Sequence, residues 1–267
     1  MNNLAVLLGM MLLTGQISNT SIDLSDAEEG KIILEVQEEY IDELTTTLEI
    51  GAHEDHSHFS YDNQDDWYFE AGKMQSPIDI NQDIITFSHT YDEPELNFEN
   101  KVLKVSDTGH SIELDVDGEA LLMNRIFSLD QIHFHSPSEH TINGVYSDVE
   151  AHFVHKSEDG RLAVIGVLFN VGEENSAFET MLDEIEDEDL TNGFEMQVSE
   201  LLPEDLAFYH YIGSLTTPPL SENVEWYVLS EQLEISQEQL DRFNEYYIGN
   251  SHDTQDLNNR PVKYINK

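Results

Sequence analysis

The stretch Gln131 to His140, QIHFHSPSEH, holds three histidines, a glutamate and a glutamine in ten residues. Read as a strand, its period of two puts Gln131, His133 and His135 on one face and Ile132 and Phe134 on the other, towards a core. The run VEAHFVHK, residues 149–156, places Glu150, His152 and Val154 on one face and Ala151, Phe153 and His155 on the other. Pro137 and the turn-forming pair Asn143-Gly144 lie between the runs, enough chain to return the second strand antiparallel beside the first. His152 then completes a three-histidine set. Three neutral nitrogens with an open fourth position describe catalytic zinc rather than a closed structural site. Gln131 and Glu150 each sit two residues before a histidine on its own face, where an acceptor fixes the ring tautomer. His140 and His155 lack that face or spacing and are expected to be structural or surface histidines.

Downstream, YIGSLTTPPLSENVEWYVLSE (211–231) sets Thr216 and Thr217 before Pro218-Pro219. Proline cannot donate a ladder bond, so this segment is expected as a rigid loop at a sheet's edge. A hydroxyl held there could orient a metal-bound hydroxide. An ordinary Thr-Pro turn is the alternative, and chemistry alone does not separate the two.

These groups need elements to position them. From Phe59 onward, short runs rich in Val, Ile, Leu and Phe alternate with turn signals, which predicts a mainly antiparallel β domain. Two segments carry helical periodicity and are expected on the sheet's surface: Ser176–Leu190, and Ser236–Tyr247, where Ser236 and Gln239 have capping-box spacing. Residues 56–267 read as one domain. Residues 1–20 contain an apolar run, Leu4 to Leu13, with the length of a signal-peptide core and too short to span a bilayer; export is expected, a buried helix being the alternative. Residues 21–55 form an acidic leader with helical spacing at Ile33, Val36, Tyr40, Leu44 and Leu48. His53, His56 and His58 fall in a tract that reads as a solvated linker or a secondary metal site.

The 55 Asp and Glu residues against 11 Lys and Arg give a formal charge of −44. Such a chain repels polyanions, which excludes nucleic acid and acidic lipid surfaces as partners. Its self-repulsion needs counterion screening, from which a saline habitat is expected. The absence of cysteine excludes disulfides and thiolate ligands, so any metal must take nitrogen or oxygen.

Taken together, QSPIDI (75–80), GHS (109–111), QIHFHSPSEH, EAHFVH (150–155), GSLTTPPL (213–220) and NNRPV (258–262) resemble, in order, the motifs of α-class carbonic anhydrases. The resemblance covers roughly residues 56–267. It implies a central, mostly antiparallel sheet of about ten strands with short peripheral helices, and reversible hydration of CO₂ to bicarbonate and a proton by zinc-bound hydroxide. Carried over by motif position, it implies His133, His135 and His152 as zinc ligands, with Gln131 and Glu150 hydrogen-bonding the first and third. Thr216 resembles the group that accepts a hydrogen bond from the hydroxide and donates to an ionised Glu139. Val154, Val164, Leu215, Val224 and Trp226 match the apolar CO₂ pocket, Thr217 the bicarbonate side, Tyr61 the solvent network and His110 the proton-shuttle position. Weak ester hydrolysis is an expected side activity, and a homodimer is left open. Phe59 stands where the family often has Trp. Two other classes stay in view: a catalytically silent binding domain of the same fold, and a zinc-buffering protein.

Overall fold

The computed structural model describes residues 59–67, 72–88, 93–186 and 193–266. The apolar run, the acidic leader and His53, His56 and His58 lie outside the described residues. The chain order is β1 (Asp79–Ile80), β2 (Thr86–Ser88), β3 (Glu95–Asp107), β4 (Ile112–Leu122), β5 (Arg125–His135), β6 (Thr141–Ile142), β7 (Val145–Tyr146), β8 (Val149–Lys156) and β9 (Leu162–Val171), then α1 (Ser176–Glu186). There follow β10 (Phe194–Glu195), β11 (Phe208–Ser214), β12 (Glu222–Leu229), β13 (Leu233–Ile235), α2 (Gln237–Asn244) and β14 (Lys263–Ile265).

Eleven strands form one sheet in the order β10-β3-β4-β5-β8-β9-β12-β11-β14-β2, with β13 pairing to β9 off that path. The run from β10 to β9 is antiparallel throughout. β12 then lies parallel to β9, and β2 parallel to β14. The ten-strand path and its antiparallel core match the expected architecture. A separate small sheet, β1-β6-β7, carries the Asn143-Gly144 hairpin, and both turn residues have the positive φ (52° and 75°) that such a turn requires.

Period-two alternation divides the apolar side chains between two cores. Ile132, Phe134, Ala151, Phe153 and Tyr227 join the larger cluster, with Phe178, Met181 and Leu182 of α1 and Leu240 and Phe243 of α2. Val154, Val164, Val224, Trp226 and Val228 join a smaller cluster with Ile78, Ile80 and Tyr211. A sheet covered on both faces explains why β8 is buried at every position but its last. The helices sit near where periodicity predicts. Ser236 caps α2 through a complete capping box with Gln239, but the helix ends at Asn244, short of the expected Tyr247, and the chain beyond it turns back so that Gly249 N–H reaches Ser136 O at 2.6 Å. Among the described residues no helix is long and apolar enough to cross a membrane.

Candidate metal centre

β5 and β8 pair with His133 directly opposite His152, flanked by Gln131 opposite Val154 and His135 opposite Glu150. This register puts all six side chains on the face of the smaller core. Each imidazole has one nitrogen tied to an acceptor: His133 Nδ1 to Gln131 Oε1 (2.9 Å), His135 Nδ1 to the Asn250 carbonyl (2.7 Å) and His152 Nε2 to Glu150 Oε1 (2.9 Å). Because those acceptors hold no proton of their own, the tied nitrogens carry N–H. The other three, His133 Nε2, His135 Nε2 and His152 Nδ1, are left with lone pairs.

These three lone pairs converge. The set lies within 4.8 Å of one another, and His133 Nε2 and His152 Nδ1 approach to 3.3 Å. His135 Nε2 is buried without a partner. Lone pairs facing one another in a buried site repel unless a cation lies between them, so the donor set fits a divalent metal that takes nitrogen ligands. Burial, reinforced by the neighbouring imidazoles, holds the His133 pKa well below its usual value and pulls that of His135 down to about 3. Burial also lowers that of His152, against the opposing pull of Glu150. Neutral imidazole is the form that ligates.

Glu150 organises the surroundings. Its Oε1 accepts from His152 and from His140 Nδ1 (2.8 Å), and its Oε2 accepts the backbone N–H groups of Glu139 (2.9 Å) and His140 (2.8 Å). Burial alone would raise its pKa; His140 and His152 outweigh that and bring it well below the ordinary range. The network continues from His140 Nε2 to Tyr211 OH (2.7 Å) and on to Ser76 Oγ (2.8 Å). His140 is therefore a buried structural group rather than a surface one. His155, on the opposite face, is also buried and donates from Nδ1 to Phe153 O at 2.7 Å. Gly166, across from His152 on β9, is required by close approach: a Cβ there would meet Glu150 Oε1 at 2.8 Å.

Glu139 lies fully buried beside the trio, with Oε2 3.9 Å from His152 Nδ1. Its Oε1 accepts the His252 backbone N–H at 2.8 Å. Oε2 has no hydrogen bond of complete geometry, although the Thr216 side chain acts on the carboxyl to lower its pKa. Burial and Glu150 push the other way and win, so that pKa is raised well above the carboxylate range. Thr216 and Thr217 lie in the connection between β11 and β12, which closes through Leu220 N–H to Thr217 O (2.9 Å) and contains a cis Pro218-Pro219 bond. That loop caps two interior strands, not an edge strand as expected, because β9 and β14 flank the pair.

Val154, Val164, Val224 and Trp226 are buried in one cluster, with Leu215 packed against it. Trp226 stands edge to face with His152 at 4.9 Å and donates from Nε1 to Ser214 O at 2.9 Å. The apolar wall thus adjoins the imidazoles. Tyr61 OH is buried, and its pKa is raised by burial and by the Glu139 charge. His110 is half-buried in the turn before β4, its ring stacked on Phe59 at 3.9 Å.

Sequence reasoning missed Asn250 and His252. The Asn250 backbone carbonyl orients His135, while its side chain accepts from Ser136 N–H (2.8 Å) and donates to His110 O and Phe134 O (3.0 Å each). Both residues lie in an irregular segment between α2 and β14, where no periodicity marks them.

A model of the eukaryotic-type carbonic anhydrase family matches residues 62–267. A carbonic anhydrase of Pectobacterium carotovorum is 37% identical over 204 residues, covering 74% of this chain and 79% of that protein. The α-carbonic anhydrase of Thermovibrio ammonificans, solved with the inhibitor sulfanilamide, superposes with a TM-score of 0.65 at 37% identity, covering 72% of this chain and 87% of that one. Dioscorin complexed with ascorbate superposes with a TM-score of 0.68 at 29% identity, covering 73% and 87%.

Proposed function

The chain belongs to the eukaryotic-type, α-class carbonic anhydrase family, and from that premise we propose that it hydrates CO₂ reversibly to bicarbonate and a proton, with zinc held by His133, His135 and His152. One observation carries the reading: three imidazoles, His135 and His152 buried and His133 half-buried, are each tied through one nitrogen and aim their remaining lone pairs at a common point. Zinc, when bound, supplies hydroxide at neutral pH by acidifying water, a chemistry for which carbonic anhydrase is the standard example.

The chain's own residues do the rest. Gln131, Glu150 and the Asn250 carbonyl hold the three rings in the ligating tautomer. Val154, Val164, Leu215, Val224 and Trp226 present the dry wall that an uncharged, apolar substrate needs. Thr216 donates its hydroxyl proton to Glu139, which leaves its oxygen free to accept from the nucleophile and fixes the direction of attack. A divalent charge beside Glu139 favours the ionised form that burial otherwise opposes. Thr217 borders the space for bicarbonate, Tyr61 extends the polar side, and His110, outside the ligand set, takes the proton outward.

The likeness to dioscorin, solved with ascorbate, favours a second reading, a binding domain without turnover. Stopped-flow CO₂ hydration on the purified chain, before and after chelation, separates the two. Turnover that falls on chelation and returns with zinc is expected. A zinc-loaded chain without turnover would be the binding domain.

A further inference from the structure

Register places Ser106, Glu113, His133 and His152 in one row across β3, β4, β5 and β8. Directly opposed residues of an antiparallel pair project to the same face with Cβ atoms about 5 Å apart. Glu113 is therefore the next side chain in the row beyond two imidazoles whose lone pairs converge. It is half-buried. Its carboxyl pKa is raised by burial first, then by the charges of Asp115 and Asp130, with Lys104, the cross-strand partner of Asp115, opposing. Glu113 thus brings a carboxyl to the β4 side of the site, whereas Val154, Val164, Val224 and Trp226 of β8, β9 and β12 form its apolar wall.

We propose that Glu113 is a specificity-determining residue: its carboxylate disfavours anions at the open position beside the histidines, so that neutral CO₂ enters, bicarbonate leaves readily and inhibitory anions bind weakly. The inference rests on the metal-centre reading above. CO₂ carries no net charge for this field to act on, whereas every competing anion does. Proximity gives Glu113 an influence that the general acid excess lacks. Exposed charges more than a Debye length away, about 10 Å at 0.1 M salt, are largely screened. A half-buried neighbour is screened less.

The test compares Glu113→Gln with Glu119→Gln, an exposed position on the same strand six residues along, about 20 Å at strand rise. Both change the net charge by one unit. The protein is loaded with cobalt(II) and titrated with thiocyanate at constant ionic strength and alkaline pH, the ligand-field absorption reporting anion binding. Bicarbonate KM and CO₂ kcat/KM are measured on the zinc form. Glu113→Gln should tighten thiocyanate binding by about three- to tenfold, the range expected of one carboxylate at this distance with partial screening. It should lower bicarbonate KM in parallel and move CO₂ kcat/KM much less, while Glu119→Gln matches the parent. Glu113→Lys should tighten thiocyanate further, and Glu113→Ser gives the uncharged comparison if Gln does not fold. Equal thiocyanate affinities in parent and Glu113 variants, or an equal shift in Glu119→Gln, overturn the proposal. Such a result in a metal-loaded, active variant leaves the metal-centre reading standing; failure to load any metal would instead count against that reading.

Discussion

The backbone N–H of His252 donates to Glu139 Oε1 at 2.8 Å, which ties a fully buried carboxyl next to three histidines to a loop 113 residues further along the chain. With one oxygen occupied by a donor, the other must receive the Thr216 hydroxyl if Thr216 is to accept from the nucleophile. Glu139→Gln places an amide where that arrangement needs an acceptor, and it reverses the polarity at Thr216. Zinc content should stay near that of the parent, while kcat for CO₂ hydration falls by about 10²-fold, the usual cost of losing one aligned partner of the reacting oxygen. Unchanged turnover would remove Glu139 from the mechanism.

Asn250 is the joint between the His110 turn, the end of β5 and the His135 ring. Asn250→Ala keeps the carbonyl that orients His135 but strands the buried Ser136 N–H, at a cost of about 1–3 kcal/mol, while Phe134 O keeps the Ser111 hydroxyl as its donor. Chemical denaturation of the zinc-loaded protein should show that loss. Competition against a chelator should show zinc held about tenfold more weakly, as for other changes just outside a metal's ligands.

His110 stacks on Phe59 at the mouth of β4 and is not among the converging imidazoles. The proposed role of His110 as proton carrier predicts that His110→Ala lowers kcat by about ten- to a hundredfold in weak buffer, leaves kcat/KM for CO₂ nearly unchanged, and is rescued by imidazole. An equal fall in kcat/KM would assign it to the attack step.

Burial pulls the His155 pKa down to about 4, against the opposing backbone contacts of Phe153 and Ala163. The unfolded chain, with an ordinary imidazole, takes up its proton at higher pH than the folded one. Stability should therefore be complete above about pH 6.5 and decline as pH falls towards 4, by roughly 3 kcal/mol for this group. His155→Phe should cost about 1 kcal/mol at pH 7.5 through the lost bond to Phe153 O, yet flatten the decline. Denaturant midpoints at several pH values distinguish this from a uniform loss.

Much of the site was legible because a strand's period is two. His133, His135 and His152 share a face for the same reason that Ile132, Phe134 and Phe153 share the opposite one, and the chain returns antiparallel from β5 to β8 by way of the Asn143-Gly144 hairpin of the small sheet. Gln131 and Glu150 followed from the same spacing. Asn250 and His252 did not, since they act from a non-repeating segment through one carbonyl and one N–H that any residue type carries. Glu113 could not be placed beside His133 without the β4–β5 register, which contains a shift between Leu114 and Glu119. The parallel seam between β9 and β12 likewise has no local signal; it emerges only when both strands are found buried on each face.

The central claim is that the histidine trio holds the zinc that turnover requires. The most direct measurement is zinc stoichiometry alongside CO₂ hydration on the same samples of parent and His152→Ala. The parent should carry close to one zinc per chain, and removing His152 should lose both metal and hydration together, because two imidazoles on one strand do not close a tetrahedral site. Full hydration by His152→Ala, or by a parent stripped of zinc, would contradict the account.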